Sequence, residues 1–139
     1  MTPIEMREAL ESMGLIEAAD RPGTYALIMA VPDGVEAVQR ARLEAADFPF
    51  DDAMAEQLAA ADRVLYVGST SRPIRERISE HLEGKVRRAS LLQAFFVTGI
   101  EGVWPGEYAD KHERNMAERN RARELTGPET ICWCDGSLF

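Results

Sequence analysis

Long apolar runs are absent from this 139-residue chain. None approaches the roughly 20 consecutive apolar residues that a bilayer-crossing helix requires, and the N-terminal MTPIEMREALESMG reads as a charged amphipathic helix, not a signal peptide. The expectation is a cytoplasmic protein with no membrane partner. Cysteine is nearly absent too. Cys132 and Cys134 are the only two, and a metal site built on them needs two further ligands, so partly buried free thiols are expected. Histidine is confined to His81 and His112, and no Ser-His-Asp set or paired metal-binding histidine spacing stands out; His112, in DKHERN, reads as an exposed helix residue. Aromatic residues make up 7% of the chain, too few to indicate a stacking platform for single strands. The stretch GSTSRPIR lacks the second glycine and the Gly-Lys-Ser/Thr ending of a P-loop.

Lysine is scarce as well: Lys85 and Lys111 stand against 14 arginines in a chain of net charge −8. An acidic, lysine-poor surface fits a salt-adapted organism, where screening shortens the Debye length to about 3 Å at 1 M salt, and a GC-rich genome produces the same composition. The acidity is uneven. Residues 1–63 hold 13 Asp/Glu against 5 Arg, whereas residues 64–139 hold 11 of each sign. With 45% hydrophobic residues and no low-complexity tract or linker, 1–139 is expected to form one domain, long enough for one core and too short for two.

Periodicity divides the chain into alternating elements. Ile4, Met6, Leu10 and Met13 outline a short helix ending at Gly14, within a helical N-terminal extension of about 1–20. TYALIMAV is an apolar strand closed by Pro32-Asp33-Gly34, and VLYVG is a second strand broken by Gly68. Between them lies an acidic, alanine-rich stretch with a helix from about Phe50 to Asp62. Pro73 suits a first helical turn, Ser71 or a neighbour can cap it, and Ile74, Ile78 and Leu82 form an apolar stripe. LLQAFFVTGIEGVW reads as one or two strands split by Gly99 and Gly102, EYADKHERNMAERNRAREL as a long charged helix, and TICW as a last short strand. The fold class is α+β (α/β-like), a small three- to four-stranded, mostly antiparallel sheet flanked by helices.

Positive charge gathers behind one turn. Residues 72–88 carry six Arg/Lys against three Glu, and their helix puts Arg77 and His81 on one face, directly after a glycine turn. Such a turn admits a phosphate close to the backbone, and arginine grips phosphate oxygens with a fork of donors. By charge alone a solvated helix face is the better explanation of the pattern. Tyr25 and Tyr66 each sit on a strand beside glycine, in Gly23-Thr24-Tyr25 and Tyr66-Val67-Gly68, where packing of amphipathic rings is the plain alternative.

Taken in order, GTY, YVG, the RERISEH helix and a later glutamate-bearing helix resemble the GIY-YIG nuclease superfamily over roughly Gly23 to Leu125. ERNMA and the terminal CWCDGSLF are similar to small archaeal members with a cysteine-containing end. Tyr25 and Tyr66 are 41 residues apart, far more than a short hairpin needs, so about 33–62 is an acidic helical insertion. Its carboxylates are expected in solvent, with Phe48, Phe50, Met54 and Leu58 anchoring it. The resemblance implies a divalent-metal-dependent endonuclease acting on nucleic acid, DNA ahead of RNA. It makes Tyr25 the base, Tyr66 its partner, Arg77 the phosphate clamp and His81 an assistant, with Gly68, Thr70 and Arg75 as substrate contacts. It also implies one Mg²⁺ or Mn²⁺ on Glu113 or Glu118. A non-catalytic binding module with the same fold is the alternative. The two glutamates are five residues apart, so they project about 140° apart around a helix and cannot both face one site. Glu113 lies beside Met116, Ala117 and Asn120, on a face able to pack on the sheet. Glu118 is flanked by Arg114 and Arg121, which implies water, so Glu113 is favoured as the ligand.

Overall fold

The computed structural model describes residues 1–44, 51–85, 95–134 and 137–139. Helices α1 (Pro3–Ser12) and α2 (Ile16–Ala19) precede strand β1 (Gly23–Ala30); α3 (Val35–Glu44) and α4 (Asp52–Ala60) lead to β2 (Arg63–Thr70). Then come α5 (Ile74–Leu82), β3 (Phe96–Pro105), α6 (Lys111–Leu125), β4 (Thr130–Cys134) and β5 (Ser137–Leu138). The architecture is α+β. Its sheet has five strands in the order β3-β1-β2-β4-β5, not three or four. The extra strand is the two-residue β5, paired antiparallel with β4 and too short to leave an alternating pattern in sequence. The β1–β2 and β1–β3 pairings are also antiparallel, and only β2–β4 is parallel.

Local chemistry accounts for several element boundaries. Thr2 caps α1 through a reciprocal capping box with Glu5, and Pro3 occupies the first turn, where its missing N–H costs nothing. Only Met6 and Leu10 turn inward, while Ile4 and Met13 stay exposed. Ser71 does not cap α5. Pro73 is the capping position without a side-chain bond, and Thr70 Oγ1 accepts the Arg72 N–H instead, at 3.0 Å. Gly99 and Gly102 do not split β3, which runs on with two register shifts against β1. Such shifts are bulges, where glycine is common.

Alternation along β1 and β2 sends side chains to two cores. Tyr25, Leu27, Met29 and Val64 pack with Met6, Leu10, Ile74 and Ile78 under α1 and α5. Ala26, Leu65 and Val67 pack with Ala122, Cys132 and Cys134 under α6. Each fully buried Leu or Ile contributes about 1.5–3 kcal/mol relative to exposure. The segment between β1 and β2 joins the first core through Val38, Ala55 and Leu58, with Met54 against its edge, while Asp33, Glu36, Asp51, Asp52, Glu56 and Asp62 are exposed. Phe48 and Phe50 lie outside the described residues.

One cross-strand pair sets the geometry of the sheet end. Tyr25 stands opposite Gly68, and a Cβ on Gly68 would meet Tyr25 Cζ at 2.5 Å and the phenolic oxygen closer still. Gly68 is the floor on which the phenol lies. Gly68→Ala is therefore expected to destabilise the fold by about 1–3 kcal/mol through overpacking. In a Tyr25→Ala background the same change should cost much less, a coupling that urea denaturation of the four proteins reads directly.

Candidate functional site

The site begins with the buried phenol. Tyr25 is 1% exposed, and its hydroxyl lies 2.7 Å from Nε2 of His81, which α5 delivers from above the sheet. Tyr66, on the same face of β2, turns its ring edge-on to the imidazole at 5.3 Å. The two tyrosines thus flank one histidine. His81 is 7% exposed, and its Nδ1 has no hydrogen-bond partner among the described residues. Burial first, and then the charge of Arg77, push the His81 pKa down to about 3, so the ring is neutral at pH 7. Burial also raises the Tyr25 pKa well above the ordinary tyrosine value, with Tyr66 and Glu118 adding to it. Arg77 opposes that rise, both as a nearby charge and as a hydrogen-bond partner of Tyr25.

Beyond Tyr25 the sheet ends in a cleft of about 180 Å³ lined by Ser69, Thr70, Ser71, Arg72, Arg77 and Arg114. Arg77 reaches it from α5 on one face of the sheet, and Arg114 from α6 on the other. Arg72 and Arg77 share the carboxylate of Glu80. Arg114 has no carboxylate partner among the described residues, which is unusual for a half-buried arginine in a chain of net charge −8. Three guanidinium groups, three hydroxyls and the β2–α5 turn are the kinds of donor that suit an anion.

The two candidate glutamates part company. Glu113 is exposed and belongs to the start of α6: Asp110 caps its backbone N–H at 2.8 Å, and its own carboxylate accepts the Ala109 N–H at 3.1 Å. Glu118 is half-buried at the sheet end, accepting the Ser69 hydroxyl at 2.5 Å and the Cys134 thiol at 3.5 Å. Its charge reaches Tyr25. The sequence preference for Glu113 thus falls on a residue of the helix start, and of the two arginines flanking Glu118, Arg114 lines the cleft while Arg121 lies over Trp104 and reaches Thr24.

Tyr25, Tyr66, Arg77, His81, Gly68 and Thr70 therefore gather at one end of β1 and β2, with Glu118 beside them. Arg75 does not join them. It pairs with Asp20 and lines a separate groove along α1 and α5. Arg87 and Arg88 of the basic stretch lie outside the described residues. Sequence reasoning missed Arg114 and Ser69. Arg114 could have been found as the residue one turn before Glu118 on the same helix face. Cys132 and Cys134 form no disulfide among the described residues and are fully buried, and burial raises the Cys132 pKa.

Compared with protein-family models, curated proteins and solved structures, the chain matches none. No helix among the described residues is long and apolar enough to cross a membrane.

The neutral His81 makes stability depend on pH. Its folded pKa of about 3 lies below the ordinary 6.5, so from pH 6.5 downward the unfolded chain takes up a proton that the folded chain refuses. Stability must then fall as pH falls, with a slope of up to about 1.4 kcal/mol per pH unit. The lowered Glu80 pKa adds to this only below its ordinary value of 4.5. Urea denaturation at pH 7.5, 6.0 and 5.0 should show the slope in the wild type and lose most of it in His81→Gln. Equal slopes would contradict a buried neutral His81.

Proposed function

We propose that this chain is a GIY-YIG-type phosphodiesterase, a divalent-metal-dependent endonuclease acting on nucleic acid. The observation that supports it best is the convergence of Arg77 and Arg114 on one small cleft bordered by the Tyr25–His81 pair and by Glu118. Hydrolysis of a phosphodiester needs a water activated in line, counter-charge for the pentavalent phosphorus, and help for the departing oxygen. Arg77 and Arg114 supply donors and positive charge from two sides of the phosphate. Tyr25 is the base. Arg77 favours its phenolate, and His81 holds the phenolic oxygen at hydrogen-bond distance.

Glu118 fits the implied cation. Its two oxygens are oriented by Ser69 and Cys134, and one oriented carboxylate suits Mg²⁺ or Mn²⁺, which keep waters and take phosphate oxygens. Among the described residues no three His, Cys, Asp or Glu groups assemble into a larger metal cluster. When bound, such an ion supplies counter-charge to the leaving oxygen.

A binding module without catalysis is the second reading, favoured by the burial of the Tyr25 hydroxyl and its raised pKa. Labelled duplex, branched and single-stranded DNA and RNA, incubated with Mg²⁺ or Mn²⁺ at low and molar salt, separate the two. The nuclease reading expects metal-dependent cleavage. Arg77→Ala and Glu118→Gln should each lose roughly 10²-fold or more in rate. Glu113→Gln should stay near wild type in rate and in stability, because the amide oxygen can still accept the Ala109 N–H. Binding without cleavage by the wild type, under every metal and salt condition, would establish the module instead.

A further inference from the structure

Glu80 holds an unusual position for a carboxylate beside an anion cleft. Arg72 clasps it with two parallel bonds, Nη1 to Oε1 at 2.7 Å and Nη2 to Oε2 at 2.7 Å, and Arg77 Nη1 adds a third contact to Oε2 at 3.2 Å. Two parallel N–H···O bonds are how arginine binds a phosphate. The carboxylate, which lines the neighbouring groove and not the cleft itself, therefore fills the donor forks of two of the three arginines that line the cleft. The third, Arg114, is left without an acid among the described residues.

We propose that Glu80 is a built-in competitor for this anion site: it fills the donor forks of Arg72 and Arg77 in the substrate-free protein, and a phosphate group held first by Arg114 displaces it. The pair can exchange because Arg72 and Glu80 are 52% and 27% exposed, so water reaches both partners as they separate. Room for the displaced carboxylate exists. Glu80 lines a neighbouring groove of about 420 Å³ together with Arg75, Ser79 and Lys85 and with the carboxylates of Glu76 and Glu83, and a released Glu80 side chain turns into that space. The hydrogen bond to Arg72 is the largest influence holding the Glu80 carboxyl down to about 2, so the competitor stays charged throughout the physiological range. A single-point anion gains little by replacing a bidentate carboxylate, whereas a phosphate group can satisfy Arg72, Arg77 and Arg114 together. The latch thus selects for phosphate esters. For a nucleic-acid phosphate it rests on the function proposed above; for free phosphate it does not.

The test titrates inorganic phosphate and a non-cleavable phosphorothioate oligonucleotide, in EDTA, into wild type, Glu80→Gln and Arg114→Ala, with circular dichroism confirming that each is folded. Glu80→Gln should bind both probes about tenfold more tightly, the effect of releasing two arginines from an internal pair, and Arg114→Ala should weaken both. Glu80→Asp, with a shorter reach, should fall between wild type and Glu80→Gln. Tighter phosphate binding with no oligonucleotide binding by any variant would uphold the latch and defeat the nuclease reading. Equal or weaker binding of phosphate by Glu80→Gln would overturn the latch, even if the wild type cleaves nucleic acid. Failure of all three proteins to bind phosphate would overturn it as well.

Discussion

The contact between Tyr25 and His81 constrains nearly everything around it. To reach the imidazole, the phenol must lie flat across β2, and only a residue without a side chain can pass beneath it, which is why Gly68 stands opposite Tyr25 in the register. His81 must in turn face down from α5, and this fixes the helix phase. With Ile74 and Ile78 buried on the same side, Arg77 is carried to the rim of the sheet, against the phenol and the cleft. One hydrogen bond over one glycine therefore aligns a strand pair, a helix and an arginine. Burial disfavours the charged form of both groups, raising the Tyr25 pKa and lowering that of His81, because neither has water to stabilise an ion.

Charge is arranged along the same axis. The chain leaves β1 at Ala30 and returns at Arg63, at the opposite end of the strands from Gly23 and Thr70, and residues 33–62 between those points hold eight Asp/Glu against two Arg. Eight residues of β1 put roughly 25 Å between that acidic segment's attachment and the arginine cleft. This exceeds two Debye lengths at physiological ionic strength. The acidic segment is thus attached at the far end of the sheet from the cleft, which is lined by Arg72, Arg77 and Arg114. A solvated excursion anchored by Val38, Ala55 and Leu58 fits that attachment.

What sequence could convey follows from which signals are local. The apolar run of β1, the glycine-broken β2 and the i, i+4 pair of Arg77 and His81 are written in short-range periods, and the structure realises all three. The choice between Glu113 and Glu118 is not local. Helix α6 is polar all round, with Ala122 its one buried residue, so no apolar stripe shows which side meets the sheet. Its phase is set from outside, by Ser69 and Cys134 meeting Glu118 and by Arg121 lying over Trp104 and reaching Thr24. Arg114 escaped notice for the same reason, since its value comes from facing Arg77 across the sheet end, a juxtaposition that the parallel β2–β4 crossover creates. The two-residue β5 is specified only by its ladder to Trp133 and Cys134.

The central claim is that the sheet-end cleft holds a phosphate between helices α5 and α6. It is tested most directly by following the arginine side-chain Nε–Hε resonances while a non-cleavable dinucleotide phosphorothioate is added. The predicted result is saturable shifts of Arg77 and Arg114 with one common dissociation constant, and little change at Arg40 in the acidic segment or at Arg75, which is held by Asp20. Shifts confined to arginines outside the cleft, or none at Arg77 and Arg114 at saturating ligand, would contradict it.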